Sequence, residues 1–194
     1  MIKATSGKLH WNYFIALERD MESVSRYIEF AKGNFRIYSI ELAHLLFAAA
    51  SEVDVIAKLL CKILAPAKRR RNINDYRIIL KAGVPNLHAS KVFVPRYGLS
   101  LIPWDNWSAN LNPVWWTSYN QVKHERDIYF QKATLHNALN SLAALLILTY
   151  HFYSYSLAPQ GAGPLPPKDT TLQLVPQSTL LRLHDDYYYE PVIT

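Results

Sequence analysis

From Ala133 to Pro167 the chain carries no Lys, Arg, Asp or Glu, and Leu139 to Leu157 is apolar along most of its length. Such a stretch must be buried, either in protein or in lipid. Asn140, Ser141, Thr149, His151 and Ser154 interrupt it, which favours a buried core helix over a membrane span. A helix of that kind needs amphipathic partners around it, and the rest of the sequence supplies them.

The first partner is expected from about Leu9 to Lys32, where Phe14, Leu17, Met21, Val24 and Ile28 recur at steps of three and four; Gly33-Asn34 reads as its stop. Ser39 can cap a second helix whose apolar stripe, from Leu42 through Ile63, continues to Pro66. Glu52 falls at the margin of that stripe, where an unpaired carboxylate is costly, so it requires a basic or amide partner. The partner makes either a core-edge ion pair or an orienting contact to a site residue on another helix. After Pro66, Lys68, Arg69, Arg70 and Arg71 form a run of four cations that reads as a solvated loop or a phosphate-binding, RNA-directed patch. A short helical pattern follows, through Lys81 to Gly83.

Between Gly83 and Asn112 the period changes. Lys91-Val92-Phe93-Val94-Pro95 and Leu99-Ser100-Leu101-Ile102-Pro103 flank Arg96-Tyr97-Gly98 as a small hairpin or extended arm, with Pro95 arguing for an edge. Trp104 and Trp107 anchor the return. Asn112-Pro113 then opens a helix, Asn as cap and Pro at the first helical position. It either runs on to about Tyr155 or bends near Thr134. The segment from Ala158 to Pro167 is a Pro/Gly linker, and the remaining tail is expected to lie across the body in extended form.

With 194 residues, half of them hydrophobic, the chain can bury one substantial core. The expectation is an all-α, antiparallel helical bundle over residues 1–157, with a small β-hairpin-like insertion over 84–112. Residues 158–194 are expected to form the linker and an extended C-terminal tail packing on the domain. A formal charge of +6 attracts anionic partners without choosing among them. Cys61 is the sole cysteine, so no intramolecular disulfide forms and a reducing cytosol is expected. Met1 to His10 has no secretory-signal pattern.

Chemistry-bearing residues gather in Trp115-Trp116-Thr117-Ser118-Tyr119-Asn120-Gln121-Val122-Lys123-His124-Glu125-Arg126-Asp127. On a continuous helix Asn120 and His124 share a face, continued by Trp116 and Asp127. Imidazole suits proton transfer, the amide can position a phosphate or hydroxyl, and Lys123 and Arg126 can stabilise developing negative charge. That combination suits metal-independent phosphodiester cleavage in which the substrate's 2′-hydroxyl attacks. The plainer alternative is a satisfied interfacial histidine with ordinary salt links such as Lys123 with Asp127. His124 lacks companions at zinc-ligand spacing, and neither a metal nor a cofactor is expected.

Late in this helical pattern, Asn120-Gln121-Val122-Lys123-His124 resembles the HEPN superfamily motif: an Arg, a following polar residue, and a His a little further along one helix. Tyr119 stands where that motif carries its Arg. Ser51-Glu52-Val53-Asp54, paired with the helix from Trp115 to Arg126, looks like uncharacterised bacterial proteins of this type. The resemblance covers roughly residues 9 to 155. It implies an α-helical bundle, a homodimer joining two motifs, and a cytoplasmic RNA-directed protein of defence or toxin type. The implied activity is a metal-independent endoribonuclease using His124, Asn120, Lys123 and Arg126 with Glu52 orienting; the alternative is a non-catalytic dimerisation or partner-binding module.

Overall fold

The computed structural model describes residues 7–189. The first six residues of the amino-terminal stretch, and Glu190 to Thr194 of the tail, lie outside them. The described chain is mostly helical, with one small antiparallel sheet.

At the centre lie α2 (Ile40–Leu64) and the uncharged helix, here α6 (Leu135–Ser156). Ser39 and Thr134 cap them, their hydroxyls accepting from the backbone N–H of Leu42 and Asn137. Seventeen residues of α6 are buried, including all those from Asn137 to Tyr150. Several of its polar groups bond the helix itself: Asn140 donates to the carbonyl of His136 and Ser141 to that of Ala138. Among the described residues no helix is long and apolar enough to cross a membrane.

The two central helices run in the same sense. Just ahead of both, Leu135 N–H donates to Ile37 C=O at 2.8 Å. Near their other ends, Tyr155 donates to Gly83 C=O at 3.0 Å, and Gly83 lies so close to α2 that a Cβ there would come within 2.8 Å of Leu64 Cδ1. α1 (Leu9–Val24) runs against α2, since His10 meets Glu52 while Asp20 and Val24 share a groove with Glu41 and Leu45. α4 (Val114–His124) also opposes α2, placing Tyr119 by Phe47 and Val122 by Ala43. The antiparallel expectation therefore describes α1 and α4 against α2, and not the α2–α6 pair.

Other boundaries differ for local reasons. α1 stops at Val24, short of Lys32: Ser25 Oγ donates to the Glu22 carbonyl, and the chain turns to sink Phe30 against Tyr97. Asn112 does not cap α4; it accepts from Arg77, while Asn106 Oδ1 accepts from Val114 N–H. The long-helix alternative fails at Glu125, whose φ −139° and ψ 59° are not helical. The single turn α5 (Arg126–Tyr129) and a 3-10 turn follow before α6. α3 (Ile73–Gly83) forms as its pattern predicts, with Asn72 Oδ1 accepting from the N–H groups of Asn74 and Asp75.

The arm is a hairpin of β1 (Val92–Val94) and β2 (Leu99–Leu101), turned through Pro95–Tyr97 and Gly98 at φ +59°. The tail supplies β3 (Arg182–Leu183), which pairs with β1 so that β1 is central, with Val92 opposite both Leu101 and Leu183. The tail also departs from extended form over α7 (Pro167–Gln173), where Pro166 and Pro167 start a helix whose Thr170 and Thr171 are buried. Trp104 and Trp107 are fully buried, their rings packed at a 45° tilt with centroids 4.3 Å apart.

Candidate functional site

An aromatic chain holds α4 in place. Trp104 packs on Trp115, Trp115 on Trp116, Trp116 on Tyr119 and Tyr119 on Phe47, with centroid separations of 5.3, 5.7, 5.6 and 6.0 Å. Trp115 also donates its indole N–H to Pro103 C=O at 2.8 Å. Both tryptophans of the Trp115-Trp116 pair are therefore structural, and what they position is the outer face of α4.

On that face Asn120 is half-buried while Lys123 and His124 are exposed. Asn120 Nδ2 donates to the Trp116 carbonyl, leaving its Oδ1 without a partner among the described residues. Lys123 does not reach Asp127. Its ammonium lies 5.4 Å from the centre of the Tyr119 ring and donates to the Tyr119 hydroxyl at 3.3 Å. His124 ends α4 with no hydrogen-bonding partner among the described residues.

The break at Glu125 separates Arg126 and Asp127 from the face that Asn120 and His124 share. Arg126 folds back instead, its guanidinium 5.2 Å from the centre of the Phe47 ring on α2. Lys132 donates to Gln121 Oε1 and sits 4.9 Å from the Tyr129 ring centre. Three cations are thus seated over three aromatic rings around the end of α4, an arrangement composition alone could not reveal.

The remaining candidates lie elsewhere. Glu52 is about 140° around α2 from Phe47, at 100° per residue. It faces α1, where its carboxylate meets His10 Nδ1 at 2.5 Å with both side chains 15% exposed. The Phe152 ring packs edge-on to that imidazole at 5.3 Å. Glu52 thus contacts a histidine on another helix, but that histidine is His10, whose place no spacing rule indicates. Lys68, Arg69, Arg70 and Arg71 lie beyond the opposite end of α2, about 37 Å from its start for 25 residues at 1.5 Å each. Arg69 pairs with Asp75 at 3.3 Å, and Arg70 caps the Pro66 carbonyl at 2.9 Å. Within one protomer the basic loop and the α4 face do not form one site.

Cys61 is buried, and burial pushes its thiol up to about 12, so it is no nucleophile at neutral pH. Among the described residues no group of three or more His, Cys, Asp or Glu is placed to hold a metal ion. The class defined so far is a mostly helical protein with a small sheet and a cation-on-aromatic surface around α4. Comparison of the chain with protein-family models, with curated proteins and with solved structures gave no match.

Proposed function

We propose that the α4–α5 face engages RNA, and that the protein is a HEPN-like, metal-independent endoribonuclease of defence or toxin type. The observation that carries this reading is the set of exposed or part-exposed polar groups at the end of α4: Asn120 Oδ1 and the His124 ring, flanked by Lys123 over Tyr119 and Arg126 over Phe47. Cations held on rings keep their charge outward with less side-chain entropy to lose on meeting a phosphate. The Tyr119–Lys123 pair also brings a positive charge beside the position where the resemblance calls for Arg.

In this reading Asn120 holds the scissile phosphate, and Lys123 and Arg126 stabilise its developing charge. His124 accepts the proton of the attacking 2′-hydroxyl and returns it to the 5′-oxygen as the bond from phosphorus to that oxygen breaks, leaving a 2′,3′-cyclic phosphate and a 5′-hydroxyl. A homodimer would join two such faces.

A second reading, a non-catalytic dimerisation or partner-binding module, draws on a different observation. Tyr38, Ile40 and Ile128 are 50, 63 and 56% exposed, and Tyr38 packs on Phe130 close to α5. One experiment separates the two. RNA incubated in EDTA with the wild-type protein should be cleaved, and His124→Ala should abolish cleavage while retaining the wild-type circular dichroism spectrum. Equal cleavage by that variant removes His124 from the chemistry. If no cleavage occurs and Ile128→Asp converts a dimer to a monomer, the second reading stands. Trp116 cannot serve for that arm, because it is 9% exposed and its loss would damage the core.

A further inference from the structure

We propose that the cavity at the C-terminal end of α6 binds a planar aromatic molecule carrying one anionic group. The cavity measures about 660 Å³, within the span of small-molecule sites. Four separate segments enclose it: the end of α6, the turn from Pro85 to Lys91, the Pro/Gly linker and the tail from His184 to Tyr187.

Its aromatic wall is already arranged for another ring. Tyr150 meets His151 edge-on at 5.1 Å, and Tyr187 meets Tyr150 edge-on at 4.7 Å. A planar guest extends such edge-to-face packing, in which positive ring edges meet negative ring faces. Burial holds both phenols in their neutral form, Tyr150 and Tyr187 alike being pushed up. The His151 ring nitrogens have no hydrogen-bond partner among the described residues, although the ring lines the cavity. Burial holds the imidazole down at about 4, so at neutral pH it offers one donor and one acceptor.

Charge selects the anion. Lys91 lines the cavity, is exposed, and has no carboxylate partner among the described residues. The one carboxylate on the wall, Asp186, lies 2.9 Å from His184 and is 85% exposed, turned largely to solvent. Lys91 is the cation among the lining residues, and a carboxylate or phosphate on the guest answers it.

This site lies toward the far end of α6, its lining residues Tyr150 to Tyr155 about 22 to 30 Å along the helix from Leu135, so the two readings fail independently. The test titrates the full-length protein with indole-3-acetate and, as the uncharged counterpart, indole, following the histidine ring signals by NMR. Indole-3-acetate should shift the His151 signals saturably and bind about tenfold more tightly than indole. Lys91→Met should erase that preference. Ala89→Trp, at an exposed position on the wall, should block both probes without lowering the thermal midpoint. No saturable shift at His151 with either probe overturns the proposal, as does wild-type affinity in Ala89→Trp or an undiminished preference in Lys91→Met.

Discussion

Glu18 shows how one side chain can tie a distant segment to the core. It is 1% exposed, yet no cation meets it among the described residues. Its carboxylate instead accepts from the Ser178 hydroxyl and from the backbone N–H groups of Thr179, Leu180 and Leu181, the last three at 3.1, 3.1 and 2.9 Å. Replacing it by Ala strands the two buried N–H groups of Leu180 and Leu181, so Glu18→Ala should lower stability by about 3 kcal/mol, read from the urea midpoint. A loss below about 1 kcal/mol would mean the tail is held by packing alone. His151 gives a second residue-scale prediction. Its folded pKa is lowered from 6.5 to about 4, so the unfolded chain takes up its proton first as pH falls. Stability from this group is intact above pH 6.5, declines as pH drops toward 4, and has no further to fall below that. The groups around it on the cavity wall are Tyr150, Tyr187, Lys91, His184 and Asp186, and His136, also lowered by burial, acts in the same direction elsewhere. His151→Phe should therefore flatten the slope of unfolding free energy against pH between 6.5 and 4; an unchanged slope would exclude His151 as its source.

The helices that sequence predicts best are those whose ends are settled by their own residues. α2 and α3 begin at Ser39 and Asn72, whose side chains accept from the first turn; α2 starts at the cap its pattern names, and α3 ends at Gly83 as its pattern predicts. Asn72→Ala should cost about 1 kcal/mol in the urea midpoint, because Asn72 satisfies two N–H groups at once; a neutral result would assign the start of α3 to packing. Ends decided by distant contacts were not legible. The turn into α6 is held by strand-like pairing of Tyr38 with Thr134 and by Leu135 and His136 donating to Ile37 and Phe35, contacts between distant segments of the chain. The candidate site divides the same way. Asn120, Lys123 and His124 could be grouped by helical spacing, whereas Arg126 reaches the area only by folding onto Phe47. The link from Glu52 to His10 crosses 42 positions, and the cavity around His151 draws on four segments, so neither could be read from neighbours in the chain.

At the scale of the whole molecule, α2 separates two cationic regions. The α4–α5 face packs at Phe47, and the loop from Lys68 to Arg71 follows the helix end at Leu64, 17 residues or about 26 Å further along. The +6 charge is therefore divided rather than pooled. If the α4–α5 face binds RNA, an oligonucleotide of about five nucleotides should be held there alone, and one of about fifteen should also reach the basic loop. Each phosphate contact releases counterions, so the fall of log affinity with log salt reports how many contacts are made. Lys123→Ala with Arg126→Ala should weaken both oligonucleotides and reduce the salt slope by about one to two. Arg70→Ala with Arg71→Ala should leave the short one unchanged and lessen the slope only for the long one, as measured by fluorescence anisotropy across a salt series. Loss of short-RNA binding from the loop variant alone would move the primary contact to the far end of α2. The α4 cations would then serve chiefly to cover Phe47 and Tyr119.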